Sequence, residues 1–223
     1  MGTNIMPPAA YLCDAGREYY TGGSGVIKRS WNFAAIQIRA MASINTTITN
    51  PRTGQTYHFL QTAKSSNGKM LEIESVFAPG SKEPPAHYHP AQSEEFTVLK
   101  GELTIKLGKE IHVLKAGENL HLPAGTVHSM WNRSADHTIV NWKTRPALNS
   151  EDLFETFTGL ANDQRTDANG KPGLLQIAVT LPYFSNVFRI VSPSPVVQRV
   201  LFTMLTPVGR LFGYRPVYRK YFS

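Results

Sequence analysis

The sequence predicts a mainly β protein, a many-stranded antiparallel domain closed into a barrel or jelly roll, followed by a helical C-terminal extension. Three observations predict it. Between Thr56 and Lys143 apolar and polar residues alternate in short runs, the period of half-buried strands. Gly and Pro interrupt those runs so often that no helical crossover fits between them, which excludes a parallel βαβ sheet. Past Pro146 the apolar spacing lengthens to that of helices.

Residues 1–40 carry neither period. They are rich in Gly, Tyr and small polar residues, as in Glu18–Gly25, and hold no apolar run of about 7–15 residues behind a basic start, so no secretory signal is expected. Two readings stay open: an arm that wraps the domain, or an over-extended start with Met41 as the true first residue. The second is favoured. Cys13, the single cysteine, is expected to be inert; it excludes a disulfide framework and any Cys-rich zinc module.

Residues 41–145 make the β domain. In Met70–Phe77, Leu71, Ile73 and Phe77 share one face and Glu72 and Glu74 the other. Leu103, Ile105 and Leu107 share a face against Thr104 and Lys106. Breakers at Pro79-Gly80, Pro84-Pro85, Gly101, Gly108, Gly117 and Pro123-Ala124-Gly125 set the turns. Closure into a barrel or jelly roll hides the edges of so many short strands.

Residues 146–223 form the third segment. Ser150 followed by Glu151 and Asp152 marks a helix start with acids in its first turn. A polar loop spans Asp163–Pro172. Two apolar stretches follow, Leu174–Val191 and Val196–Tyr214, divided by Ser192-Pro193-Ser194-Pro195. Pro182 and the Ser185-Asn186 pair argue against a clean membrane span in the first. In the second, Val196, Val197, Val200, Leu201, Met204 and Leu205 make a helical stripe, with Gln198 and Arg199 off it. Packing of these stretches over the barrel mouth or across a dimer interface is the favoured reading. The competing ones are a basic amphipathic anchor on anionic lipid and, behind it, a transmembrane hairpin.

Of 223 residues, 41% are hydrophobic and 17% charged, which supports a packed core and excludes wholesale disorder. The formal charge of +7 is unevenly placed. Residues 41–145 hold eleven basic and nine acidic side chains, whereas from Gly170 to Ser223 there are seven basic residues and no acidic one. Because that tail is also apolar and carries no recognition motif, no nucleic-acid partner is expected.

The chemistry concentrates in Pro79–Gly101. His87 and His89 lie two apart, so on an extended strand both imidazoles point to one side and can grip one ion. Glu94 follows after a turn at Pro90 and shares a strand face with Phe96 and Val98. His128, three residues after Gly125, heads a further strand through Met130 and Asn132. Three neutral imidazoles and one carboxylate suit a divalent first-row ion (Mn, Fe, Co, Ni or Zn) and leave positions for water or substrate. His58, His112, His121 and His137 are expected to be structural, and Glu95 to face solvent.

Gly80, His87-Tyr88-His89, Glu94 and Gly101 together resemble the first motif of the cupin superfamily. Gly117, Pro123-Ala124-Gly125, His128 and Asn132 resemble the second. Six residues rather than the usual five separate Gly80 from His87, a departure that lengthens a loop and touches no ligand. The resemblance covers about residues 56–145. It implies a single-domain cupin barrel, a double-stranded β-helix, with His87, His89, Glu94 and His128 on one metal ion.

It further implies a menu of activities, among which a quercetin dioxygenase-like oxygenase is favoured. Phe96, Val98, Leu103, Ile105 and Met130 are expected to line an apolar pocket for an aromatic or enolisable ligand, and Glu94 to double as the base. The alternative is a binding or sensing module without turnover. A homodimer and a cytoplasmic protein, peripheral to the inner face of the membrane, complete the expectations.

Overall fold

A computed structural model describes residues 43–218; residues 1–40, with the expected arm or false start, and Cys13 lie outside the described residues. The β domain runs through β1 (Thr47–Thr49), β2 (Thr56–Gln61), β3 (Leu71–Phe77), β4 (His87–Tyr88), β5 (Ser93–Lys100) and β6 (Glu102–Leu107). It continues through β7 (Glu110–Lys115), β8 (Asn119–Leu122), β9 (His128–Trp131) and β10 (Thr138–Arg145). The extension supplies α1 (Ser150–Asn162), α2 (Leu174–Tyr183), β11 (Arg189–Ile190) and α3 (Pro195–Leu211).

The strands form two antiparallel sheets, ordered β1-β2-β3-β10-β5-β8 and β11-β4-β9-β6-β7. This is a jelly-roll arrangement of two sheets; no single closed barrel is seen among the described residues. The alternation read from the sequence is the burial pattern: in β3, Leu71, Ile73, Ser75 and Phe77 are buried and the residues between them are half-buried. Phe59, Phe96, Val98 and Val140 from the first sheet meet Leu103, Ile105 and Met130 from the second in one core. Gly101 turns β5 into β6 at φ +80°. A Cβ there would stand 2.9 Å from the His137 carbonyl, so glycine is required twice over.

The extension is helical, as expected, but it does not lie apart from the sheets. β11 adds to the edge of the second sheet, pairing Arg189 with Tyr88 and Ile190 with His87. α1 begins at Ser150, yet its first-turn acids are buried rather than solvated, and Glu151 accepts the Ala63 N–H at 2.9 Å. The Gln92 amide, on the turn between His89 and Glu94, donates to the Pro146 and Ala147 carbonyls and to Ser150 Oγ. One polar side chain thereby fixes the start of α1 to the turn between two site residues.

α3 departs from expectation. Of its predicted apolar stripe, only Leu201 and Leu205 are half-buried, while Val196, Val197, Val200 and Met204 are exposed. The residues that pack it against α2 are on the other side, with Gly209 buried at the crossing. No helix among the described residues is long and apolar enough to cross a membrane.

Candidate metal centre

The two sheets bring the expected ligands to one point. His87 and His128 are direct cross-strand partners on β4 and β9 of the second sheet, with ring centroids 4.5 Å apart. His89 follows β4 and is fixed by the Pro123–Gly125 turn, whose Gly125 N–H donates to the His89 carbonyl at 2.9 Å. Each histidine offers a ring nitrogen within 4.8 Å of the others, and all three rings are buried. Glu94 reaches in from β5 of the opposite sheet. Its Oε2 stands 3.2 Å from His89 Nε2 and 3.1 Å from His128 Nε2.

The orientation of each ring is set by a backbone carbonyl. His87 Nδ1 lies 3.0 Å from the Pro85 carbonyl, His128 Nδ1 3.0 Å from that of Thr126, and His89 Nδ1 bonds that of Val187. A carbonyl only accepts, so Nδ1 carries the proton in each neutral ring and Nε2 carries the lone pair. Held in this way, imidazoles are arranged as metal-binding ones are. His89 Nε2, His128 Nε2 and Glu94 Oε2 are buried with no hydrogen-bond partner, although the carboxylate oxygen stands 3.2 Å and 3.1 Å from the two nitrogens. Lone pairs converging in a dry site repel one another unless a cation lies between them. The donor set therefore fits a divalent ion, with His87, His89 and His128 as the group that could hold it and Glu94 against two of them.

Electrostatics follow the same geometry. Burial, then the neighbouring His128 and His89, push His87 down to about 3. Burial also lowers His89, against the pull of Glu94. Burial pushes Glu94 up, but His89 and His128 outweigh it and hold the carboxyl below its ordinary value. For His128 burial works downward and the Glu94 contact prevails, raising it. The site thus holds a carboxylate with His87 and His89 as neutral rings carrying free Nε2 lone pairs, and a metal ion would displace the proton that the Glu94 contact favours on His128.

Three contributors escaped the sequence reading. Trp142, on β10, donates its indole N–H to Glu94 Oε1 at 3.0 Å, leaving Oε2 to face the histidines. The Val187 carbonyl orients His89, and Phe188 lies against His87 with centroids 4.7 Å apart and planes inclined by 30°. Alternation along β10 carried the signal that Trp142 faces inward. Nothing local in the sequence joins Val187 to His89.

A cavity of about 340 Å³ opens beside His87 and His89, lined by Trp142, Phe154, Phe157 and Phe188 among others. Tyr57 also lines it, its ring tilted against that of Phe154 with centroids 4.7 Å apart, and burial pushes its phenol up, so the O–H is retained. Asn50, Gln55, Asn169 and Lys171 supply the polar part of the wall. Of the five expected pocket residues only Met130 lines the cavity. Phe96, Val98, Leu103 and Ile105 are fully buried and interlock between the sheets, so they fill the core rather than wall a pocket. Glu94, expected as a base, lies behind the histidines and does not line the cavity.

The remaining histidines stay outside the cluster. His58 bonds Thr47 across the β1–β2 pair and His112 neighbours Glu110; His121 and His137 do not join it either. Glu95 points outward and pairs with Arg145 at 3.0 Å.

Two antiparallel sheets thus hold a histidine cluster that could bind a metal ion against a carboxylate. Residues 73–142 match the family model described as a cupin domain, so this part of the chain is similar to cupins. It is similar to "Probable oxidoreductase virH" of Hypocrea virens, 28% identical over 159 residues that cover 64% of this chain and 69% of that protein. "Oxidoreductase OpS7" of Beauveria bassiana is 30% identical over 77 residues, 32% of this chain and 25% of that one, so the chain spans about a quarter of that relative's length. An RmlC-like cupin structure from Shewanella frigidimarina matches at 21% identity, covering 46% of this chain and 86% of that one, with a TM-score of 0.40.

Proposed function

We propose that this chain is a metal-dependent oxidoreductase of the oxygenase kind, acting on a small aromatic or otherwise apolar, enolisable substrate. The observation that carries the reading is the apolar cavity fronted by His87 and His89, the two ligands through which an ion would meet a substrate. Two relatives named as oxidoreductases support the reaction class. A divalent ion of the Mn to Zn series, held by His87, His89, His128 and Glu94, supplies Lewis acidity and an open position for a substrate oxygen.

The chain's own residues do the rest. Trp142, Phe154, Phe157 and Phe188 give flat apolar walls that exclude water and orient an aromatic ring. Tyr57 brings a protonated phenol to the same space. Glu94, which the cavity does not reach, has the ligand's part, anchored at one oxygen by Trp142.

The test is metal analysis of freshly purified protein followed by oxygen-electrode assays with phenolic and 1,3-diketone probes. Metal-dependent O₂ uptake is the expected result. Tight binding of a probe with no uptake, in air or under nitrogen, would instead identify a binding or sensing module. A Glu94→Gln protein that keeps its metal and its turnover removes the base role for Glu94; one that keeps metal and loses turnover restores it.

A further inference from the structure

α3 has two apolar sides, and only one of them is used. On the inner side Gly209 is buried against Val179 and Leu175 of α2, and Thr206 Oγ1 donates to the Ala178 carbonyl at 2.6 Å. On the outer side Val196, Val200, Met204 and Leu211 recur at helical spacing and are 73%, 57%, 67% and 85% exposed. Phe212, just past the helix, is 72% exposed. At about 100° per residue these side chains cover roughly a third of the helix circumference. Among the described residues no element lies over them.

The charges beside that stripe have one sign. Arg199 and Arg210 are about three turns apart on the same flank of α3. Arg215 follows in the described chain, and Arg219 and Lys220 follow in sequence. From Gly170 to Ser223 there is no Asp or Glu. A second copy seated symmetrically on this face would bring two such flanks together with no carboxylate from the segment to separate them, and like charges across an interface oppose association. An anionic lipid surface satisfies both features, taking the apolar side chains at the acyl boundary and the guanidinium groups at the phosphates.

We propose that the outward face of α3 docks this protein on an anionic lipid surface, with Val196, Val200, Met204 and Leu211 inserted and Arg199 and Arg210 at the headgroups. The docking is peripheral, since the helix is not long and apolar enough to span. It stands apart from the metal reading and needs no metal for its test.

Sedimentation of the full chain with phosphatidylcholine vesicles, with and without phosphatidylglycerol, provides that test. The expected result is co-sedimentation with the phosphatidylglycerol vesicles, weakened by salt. Met204→Glu should lower the partition about tenfold or more. The double variant Arg199→Glu/Arg210→Glu should lose the preference for the anionic vesicles. These side chains are exposed, so an unchanged thermal midpoint in each variant separates lost docking from lost folding. Three results overturn the proposal: no sedimentation of the unaltered protein with either vesicle, equal sedimentation of Met204→Glu, or a lipid-free dimer in analytical ultracentrifugation that Met204→Glu dissociates.

Discussion

The Nδ1–H of His89 is donated to the backbone carbonyl of Val187, a residue of the C-terminal extension, so the two sheets alone do not complete the candidate metal centre. Phe188, the next residue, holds the same stretch of chain against His87. Phe188→Ala removes a ring contact of about 0.5–1.5 kcal/mol and loosens the carbonyl that orients His89. Metal affinity, measured by titration with Co or Zn, is expected to fall about 10- to 100-fold while the far-UV dichroism stays unchanged. Equal affinity in the variant would show that the extension only covers the site.

Trp142→Phe isolates the other support. The ring volume is nearly kept, but Glu94 Oε1 loses its indole donor while it remains buried. An unsatisfied buried carboxylate oxygen costs about 1–3 kcal/mol, and the carboxyl should rise toward its neutral form. The expected outcome is a lower urea midpoint for the metal-free protein, and metal binding that begins at higher pH. Unaltered midpoints would mean that water replaces the indole.

The ligand set was legible because it is local: His87 and His89 lie two apart, and Glu94 and His128 sit at fixed distances from turns marked by Pro and Gly. The sheets were legible from alternation alone, as β3 shows residue by residue. Two things were not. Alternation tells that Phe96 and Ile105 point inward, but inward between two sheets means either core or cavity, and depth depends on which strand lies opposite. The helical period of α3 was correct, but a period cannot say which face finds a partner. β11 has two residues and pairs with a strand about a hundred positions earlier, so no local pattern announces it.

The metal-free protein should be most stable over a limited pH range. His87 is pushed down to about 3 when folded, so between that value and the ordinary imidazole range the unfolded chain binds a proton that the folded site refuses. Stability therefore falls as pH drops through that window, by up to about 5 kcal/mol. Glu94, held below its ordinary value, adds stability that is present above that value and lost as pH falls through the depressed one. His128 is raised, so its contribution is complete below its unfolded value and is lost as pH rises through the folded one. Urea midpoints against pH should trace a dome. Added metal should remove the alkaline limb, because the ion replaces the His128 proton. A flat profile between pH 4 and 8 would contradict the charge arrangement described for the site.

Gly209→Ala tests whether the α2–α3 crossing, which leaves the outer face of α3 open, is a close-packed contact. Two effects of opposite sign compete there. In an isolated helix, Ala is favoured over Gly by about 0.8–1.0 kcal/mol. At this crossing a Cβ would stand 2.7 Å from Val179 Cγ2 and 3.1 Å from the Leu175 carbonyl oxygen. The valine methyl can turn aside only at a rotamer cost, and the carbonyl belongs to helix backbone, so overpacking of about 1–3 kcal/mol is expected to win. The thermal midpoint should fall by about 2–8 °C, and Gly209→Val, with two further methyl groups in the same space, should fall further. Val200→Ala, on the exposed side, should stay within about 0.5 kcal/mol of the parent. A more stable Gly209→Ala protein would mean that the helices are not in close contact there and that propensity alone governs α3.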